Sequence, residues 1–325
     1  MELVINSSIN DQIVDDELIV KSKSSFIEAN TIKVSLAHLQ QDCIIPVFSK
    51  DNESTISHFE FIKKTMDVVQ NLFPDFEIAE PEIRVSHQVK GRTPSAIGKP
   101  AKELLEVEKT IYYERCAFLI ELSQVKEVIN NNLLTLSIGG VRSLNQENLY
   151  NKKSLEKFKI FIGYQNKVCT NLCVSTDGFS NEVRVGSAID LEQNIIDLAK
   201  GYDRLEHLSM MEKMSKYFIT ESQFAHLVGK LRMHSHLDKS EQRHKFQIFL
   251  NDSQVNSVVR DYYKCPNFSR EKNGNINLWN LYNLFTEANK TSYIDNNLER
   301  NVNAYEFINF LGKTLQNQVP NWYLY

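Results

Sequence analysis

Glycine is scarce in this sequence, 11 residues in 325, which leaves few places where bare backbone amides can cradle a phosphate. Asparagine is plentiful and is expected to fill several left-handed turn positions in its place. The five cysteines (Cys43, Cys116, Cys169, Cys173, Cys265) are odd in number and scattered. That excludes a disulfide framework and fits reduced thiols. No apolar run approaches the roughly 18 residues of a spanning helix, so no membrane partner is expected. The opening MELVINSSIN lacks the basic start and apolar run of a signal peptide, and a cytoplasmic location is the expectation. A strong charge of one sign is missing too. With a net charge of −4, no global field recruits nucleic acid, and any such binding has to come from a local patch.

What is present is the composition of an ordinary globular chain, 42% apolar and 24% charged. Residues 1–80 form an acidic N-terminal segment, partly ordered: ten acids face four lysines within the first sixty residues, and the first twenty look loosely ordered. TIKVSLAHL and CIIPVF have strand-like content, and HFEFIKKTMDVVQNLF has helical spacing. Residues 81–187 are β-rich. EIRVSH, RCAFLIEL, NLLTLSIGGV, KFKIFIGYQNKVCTNLCVS and EVRVGS follow one another with period-two alternation, interrupted by one helix predicted near 100–113. Asp177-Gly178 predicts a two-residue hairpin turn. Residues 188–325 read as helical. Thr220-Glu221-Ser222-Gln223 is a capping box, helices follow Asp252 and Asn277, and the last is expected near 302–316. The fold class is therefore α+β, an antiparallel meander followed by a helical half packed on it, with 81–325 forming one compact domain.

GRTPSAIGKPAKELL (91–105) has the outline of a phosphate-binding loop and fails as one. Six residues separate Gly91 from Gly98, and Pro100 stands where a Ser/Thr hydroxyl must hold magnesium. No nucleotide cofactor is expected. The segment 83–102 nevertheless holds Arg84, Lys90, Arg92, Lys99 and Lys102 and no acid. As one strand, residues 157–168 place Lys157, Lys159, Phe161, Gln165 and Lys167 on one side, and Phe158, Ile160, Ile162 and Tyr164 on the core side. Cations around an exposed aromatic form the kind of surface on which single-stranded bases stack. Cys169 and Cys173 on one strand lie about 13 Å apart, too far to share a zinc. His234 and His236 fall at a predicted helix end without a metal-ligand spacing. No metal site is assigned, and no catalytic residue either.

The runs GRTPSAIGKPAKELLEVEKTIYYERCAFLIEL, SIGGV, NKVCTNLCV, VVRDYYK and LWNLYNLFTEANKTSYIDNNLERNVNAYEF resemble the uncharacterised bacterial family known as domain of unknown function 3871. Val168-Cys169-Thr170-Asn171-Leu172 and Trp279-x-x-Tyr282-Asn283-x-x-Thr286 are similar to motifs of the larger phage/plasmid-like family of unknown function 932. Thr170 replaces a glutamine of its motif, and the threonine after Asn171 is missing. The resemblance implies carriage on mobile elements and business with DNA. Asn171 and Asn283 are read as structural, tying sheet to helix. The leading expectation is a non-enzymatic binder of single-stranded nucleic acid, working as a homo-oligomer, with Lys90, Arg92, Lys99, Lys157, Lys159, Phe161 and Lys167 as its contacts. Two others stand beside it: a hydrolase acting on nucleic acid or nucleotides, and a module that inhibits a host enzyme through the acidic first sixty residues.

Overall fold

The computed structural model describes residues 25–43, 55–96, 98–147 and 155–325. The expectations for the first twenty residues and for most of CIIPVF lie outside these. β1 (Ile32–Val34), the short helix α1 (Leu36–Gln41) and α2 (His58–Leu72) come first. α2 opens on a capping box: the Glu60 N–H donates to Ser57 Oγ at 3.0 Å, and the Ser57 N–H to Glu60 Oε2 at 2.6 Å. The strands follow as β2 (Glu82–Val85), β3 (Gln88–Arg92), β4 (Lys109–Tyr113), β5 (Arg115–Ile129), β6 (Asn132–Ser143), β7 (Glu156–Asn166), β8 (Leu172–Cys173) and β9 (Phe179–Val185).

The main sheet is antiparallel in the order β1-β2-β5-β6-β7, and both β8 and β9 lie along the outer edge of β7. β5 turns into β6 through Asn130 and Asn131 at φ 47° and 62°. Asparagine therefore takes the left-handed pair of a tight hairpin, as the shortage of glycine suggested. Asp177-Gly178 is not a hairpin. β8 and β9 run along the same edge of β7, so these residues sit in a bulge between them, with Gly178 C=O accepting the Ile162 N–H at 2.8 Å. The helix expected near 100–113 is also absent. Two single-turn 3₁₀ segments, Ala101–Glu103 and Glu106–Glu108, are separated by extended Leu104 and Leu105, and Lys109–Tyr113 pairs with β3 as a separate ribbon. The threonine, isoleucine and two tyrosines of that run fit a strand better than a helix.

The helical half contains α3 (Ala188–Gly201), α4 (Arg204–Met214), the short strand β10 (Phe218–Ile219), α5 (Glu221–His234), α6 (Lys239–Gln242), α7 (Asp252–Lys264), β11 (Ile276–Asn277), α8 (Leu278–Asn289) and α9 (Ile294–Asn317). The Thr220/Gln223 capping box and the Asn277 cap form as expected. α9 begins a full two turns before the predicted 302. Its first turns bury Asn297 and Asn301 among Ile294 and Leu298, which hides the apolar period.

Helices cover both faces of the sheet. α2 and α3 lie on one, where Phe61 packs edge-on against Phe118 and Phe158 at centroid distances of 4.9 and 4.7 Å. The N-terminal half of α9 lies on the other, against Leu119, Val141, Phe161 and Val174. The remaining helices form the largest core with the far end of the sheet. α8 is its centre and is buried on nearly every side, as its sequence LWNLYNLFTEAN demands. Among the described residues, no helix is long and apolar enough to cross a membrane.

Candidate functional site

The strand β7 does not present a binding face. Phe161 is 1% exposed, packed under α9 and above Gly139, its register partner. An exposed platform was expected because alternation separates the two faces of a strand but does not say whether a second helix covers the other face. The lysines beside it are neutralised. Lys159 reaches Glu299 at 2.5 Å and the Asp295 carbonyl at 2.7 Å, both on α9. Lys157 pairs with Glu182 at 2.9 Å and Lys167 with Glu121 at 2.8 Å. Lys167 also lies beyond the end of β7, so the strand expected through 168 stops at Asn166.

The acid-free window 83–102 is acid-free only along the chain. Lys99 forms an ion pair with Glu108, whose carboxyl is held below its ordinary range chiefly by that hydrogen bond. Arg92 donates to the Lys99 carbonyl. Lys90 is exposed on β3. Among the described residues, only Lys99 of these three predicted cations is in an ion pair, while Arg92 rests on a neutral carbonyl and Lys90 is exposed.

Asn171 and Asn283 lie at the contact between sheet and helix. Both are fully buried, Asn171 Nδ2 donates to the Asn283 carbonyl at 2.9 Å, and Asn166 Nδ2 donates to Asn283 Oδ1 at 3.1 Å. Asn283 Nδ2 returns to the Trp279 carbonyl at 2.9 Å. The knot clamps the turn between β7 and β8, where Thr170 holds φ 60°, onto α8. That turn reverses the chain between Cys169 and Cys173, so the two do not share one strand as expected. Both are buried, and burial raises both thiols, Cys169 to about 12. They are not thiolates ready to bind metal. Among the described residues, no group of three or more His, Cys, Asp or Glu is placed to hold a metal ion.

A denser group of cations lies elsewhere. Residues 226–245 carry Lys230, Arg232, Lys239, Arg243 and Lys245 against two acids, Asp238 and Glu241. Among the described residues, none of these five forms an ion pair. The Lys230 and Lys245 ammoniums sit over the ring of Trp322, 4.7 and 5.5 Å from its centroid. Trp322 is half-buried and fixed by Tyr323 at 4.8 Å, edge-on, and by His226, whose Nε2 lies 3.3 Å from the Trp322 carbonyl. His234 is buried beside the same ring at 6.3 Å and acts as a packing group.

The family model described as "Domain of unknown function, B. Theta Gene description (DUF3871)" matches residues 8–324. The chain belongs to this family. No curated protein and no solved structure matches it. In this DUF3871 chain, sequence reasoning passed over the Trp322 surface. His234 and His236 drew a metal question, while the lysines interleaved with the histidines of this segment went unremarked. Trp322 is far along the chain from both, and nothing in a linear reading joins them.

Proposed function

We propose that the chain binds single-stranded nucleic acid without chemistry of its own, through the helical end of the molecule around Trp322. The observation that carries this reading is the pair of uncompensated ammoniums, Lys230 and Lys245, held over one indole ring. A cation–π contact at a half-exposed site is worth only about 0.5–1 kcal/mol, weak enough to be exchanged for a phosphate. When phosphates draw the two lysines away, the indole face is freed for a base, and such stacking contributes about 1–3 kcal/mol. Arg243 and Lys239, exposed on the adjoining segment, extend the phosphate track. The net charge of −4 makes such binding local and strongly salt-dependent. Mobile-element carriage, replication or repair, and kinship with the phage/plasmid-like family rest on motif likeness alone. The residues that carry the likeness are those of the Asn171–Asn283 knot.

Fluorescence anisotropy on a single-stranded oligonucleotide tests this. The double charge reversal K230E/K245E is expected to weaken binding at least about tenfold near 0.1 M salt and to flatten the salt dependence. K157E, which removes a cation already paired with Glu182, is expected to leave affinity within about twofold. Equal loss in both variants, or none in either, overturns the assignment.

A further inference from the structure

A second feature is an open cleft of about 630 Å³, which Trp322 does not line, bordered by the β8–β9 bulge, the start of α4 and the outer side of α9. Four carboxylates line it, Asp177, Asp203, Glu206 and Glu306. Among the described residues, no lysine or arginine forms an ion pair with any of them. Among the described residues, Lys313 is the single lysine or arginine on its wall. Part of this acidity is architectural. Asp203 Oδ1 caps α4 by accepting the Glu206 N–H at 2.9 Å, and Asp177 Oδ2 accepts the Asp203 N–H at 2.8 Å. Glu306 Oε1 accepts the Thr176 hydroxyl at 2.9 Å. Each of these bonds engages one oxygen of Asp203, Asp177 or Glu306, and all three residues line the cleft with Glu206.

Capping does not account for His207. This residue lines the same cleft, is 1% exposed, and its Nε2 is buried without a hydrogen-bond partner in the protein. Its Nδ1 lies 2.7 Å from the Tyr202 hydroxyl. Whichever nitrogen carries the proton, Nε2 therefore offers one unused hydrogen bond. Leaving such a group unmatched in a folded interior is unfavourable. Burial lowers His207 to about 4, with Asp177 opposing, so the ring is neutral near pH 7 and does not repel a cation beside it. The other wall is aromatic: Phe246 stacks on Phe310 at 5.6 Å, and Tyr305 meets His207 edge-on at 5.1 Å.

We propose that this cleft binds a protonated organic amine with an aromatic or long apolar body. The carboxylates hold the ammonium, Nε2 of His207 accepts from it in the tautomer whose Nδ1–H donates to the Tyr202 oxygen, and Phe246, Phe310 and Tyr305 cover the body. Facing carboxylates repel one another, and an organic cation relieves that repulsion while burying apolar surface, which an inorganic ion does not. A neutral body gains only the apolar contact, and an anion is repelled by the carboxylates.

The test is isothermal titration of the full chain with phenethylamine at neutral pH, with 2-phenylethanol and 3-phenylpropionate as the neutral and anionic counterparts. Saturable binding of the amine with a Kd below about 1 mM, at least tenfold tighter than either counterpart, is expected. E206K alters an exposed side chain, so the fold is retained. It should lower amine affinity at least tenfold, and E206Q/E306Q should do the same without reversing charge. Absence of saturable amine binding, equal binding of the alcohol, or unchanged affinity in folded E206K would each overturn the proposal.

Discussion

Arg142 is the most demanding side chain in the molecule. It is fully buried on β6, 3.0 Å from Glu147 and 2.5 Å from Glu156, with its guanidinium 4.7 Å from the centre of the Phe158 ring. Glu156 in turn accepts the Ile56 N–H at 3.1 Å. Removing the cation alone leaves two carboxylates buried against each other. Arg142→Ala is therefore expected to cost about 3–5 kcal/mol in urea denaturation, and the triple replacement R142M/E147L/E156L to recover most of it. A loss below about 1 kcal/mol for Arg142→Ala would contradict this picture. The same scale shows what a linear reading misses. The alternation of Lys157, Lys159 and Phe161 was read correctly as one side of a strand, yet their partners Glu182, Glu299 and Leu298 come from elements far along the chain. Asn171 and Asn283 are a simpler case, since a buried amide demands several hydrogen bonds wherever its partners come from.

Among the elements, β6 shows how a short sequence fixes packing. Gly140 stands under Phe61 of α2, and a Cβ there would lie 2.4 Å from the Phe61 ring and 2.7 Å from the Lys159 carbonyl. Gly140→Ala should force α2 off the sheet and destabilise the protein by about 1–3 kcal/mol, measured by urea denaturation. A neutral effect would mean that α2 can shift freely. Helix starts were legible where a cap is a local signal, as at Thr220 and Asn277. Asp177-Gly178 misled because a turn dipeptide also suits a bulge, and only the pairing of β8 and β9 with one edge of β7 distinguishes the two. The 100–113 segment misled for a related reason. Its charged residues look helical, but Ile111, Tyr112 and Tyr113 follow β3 closely enough to form a ribbon.

At the scale of the whole molecule, acid is the weak side. His58 is fully buried at the start of α2, its Nε2 2.8 Å from the Tyr113 carbonyl. Burial and then the Arg142 charge lower it to about 3. His207 is lowered to about 4. Unfolded imidazoles protonate near 6.5, so between these values the unfolded chain binds more protons than the folded one. Stability is full above about 6.5 and falls with pH, by up to about 1.4 kcal/mol per unit for each histidine. The melting temperature should drop between pH 7 and 5, with a shallower slope in His58→Gln, and an unchanged slope would count against buried neutral histidines. The overall class, a meander followed by helices, was legible because periodicity changes from two to 3.6 near residue 188. The placing of function was not, because ion pairing and burial cancel most of the charges that looked available.

The central claim is that Trp322 lies within the nucleic-acid contact, and the protein is suited to test it, since its only other tryptophan, Trp279, is 0% exposed. Titration with a single-stranded oligonucleotide at low salt should quench tryptophan emission. Added salt should reverse the quenching, and W322F should abolish it. Emission from Trp322 that stays constant through a titration in which anisotropy reports saturation, or an anisotropy that never rises, would contradict the account.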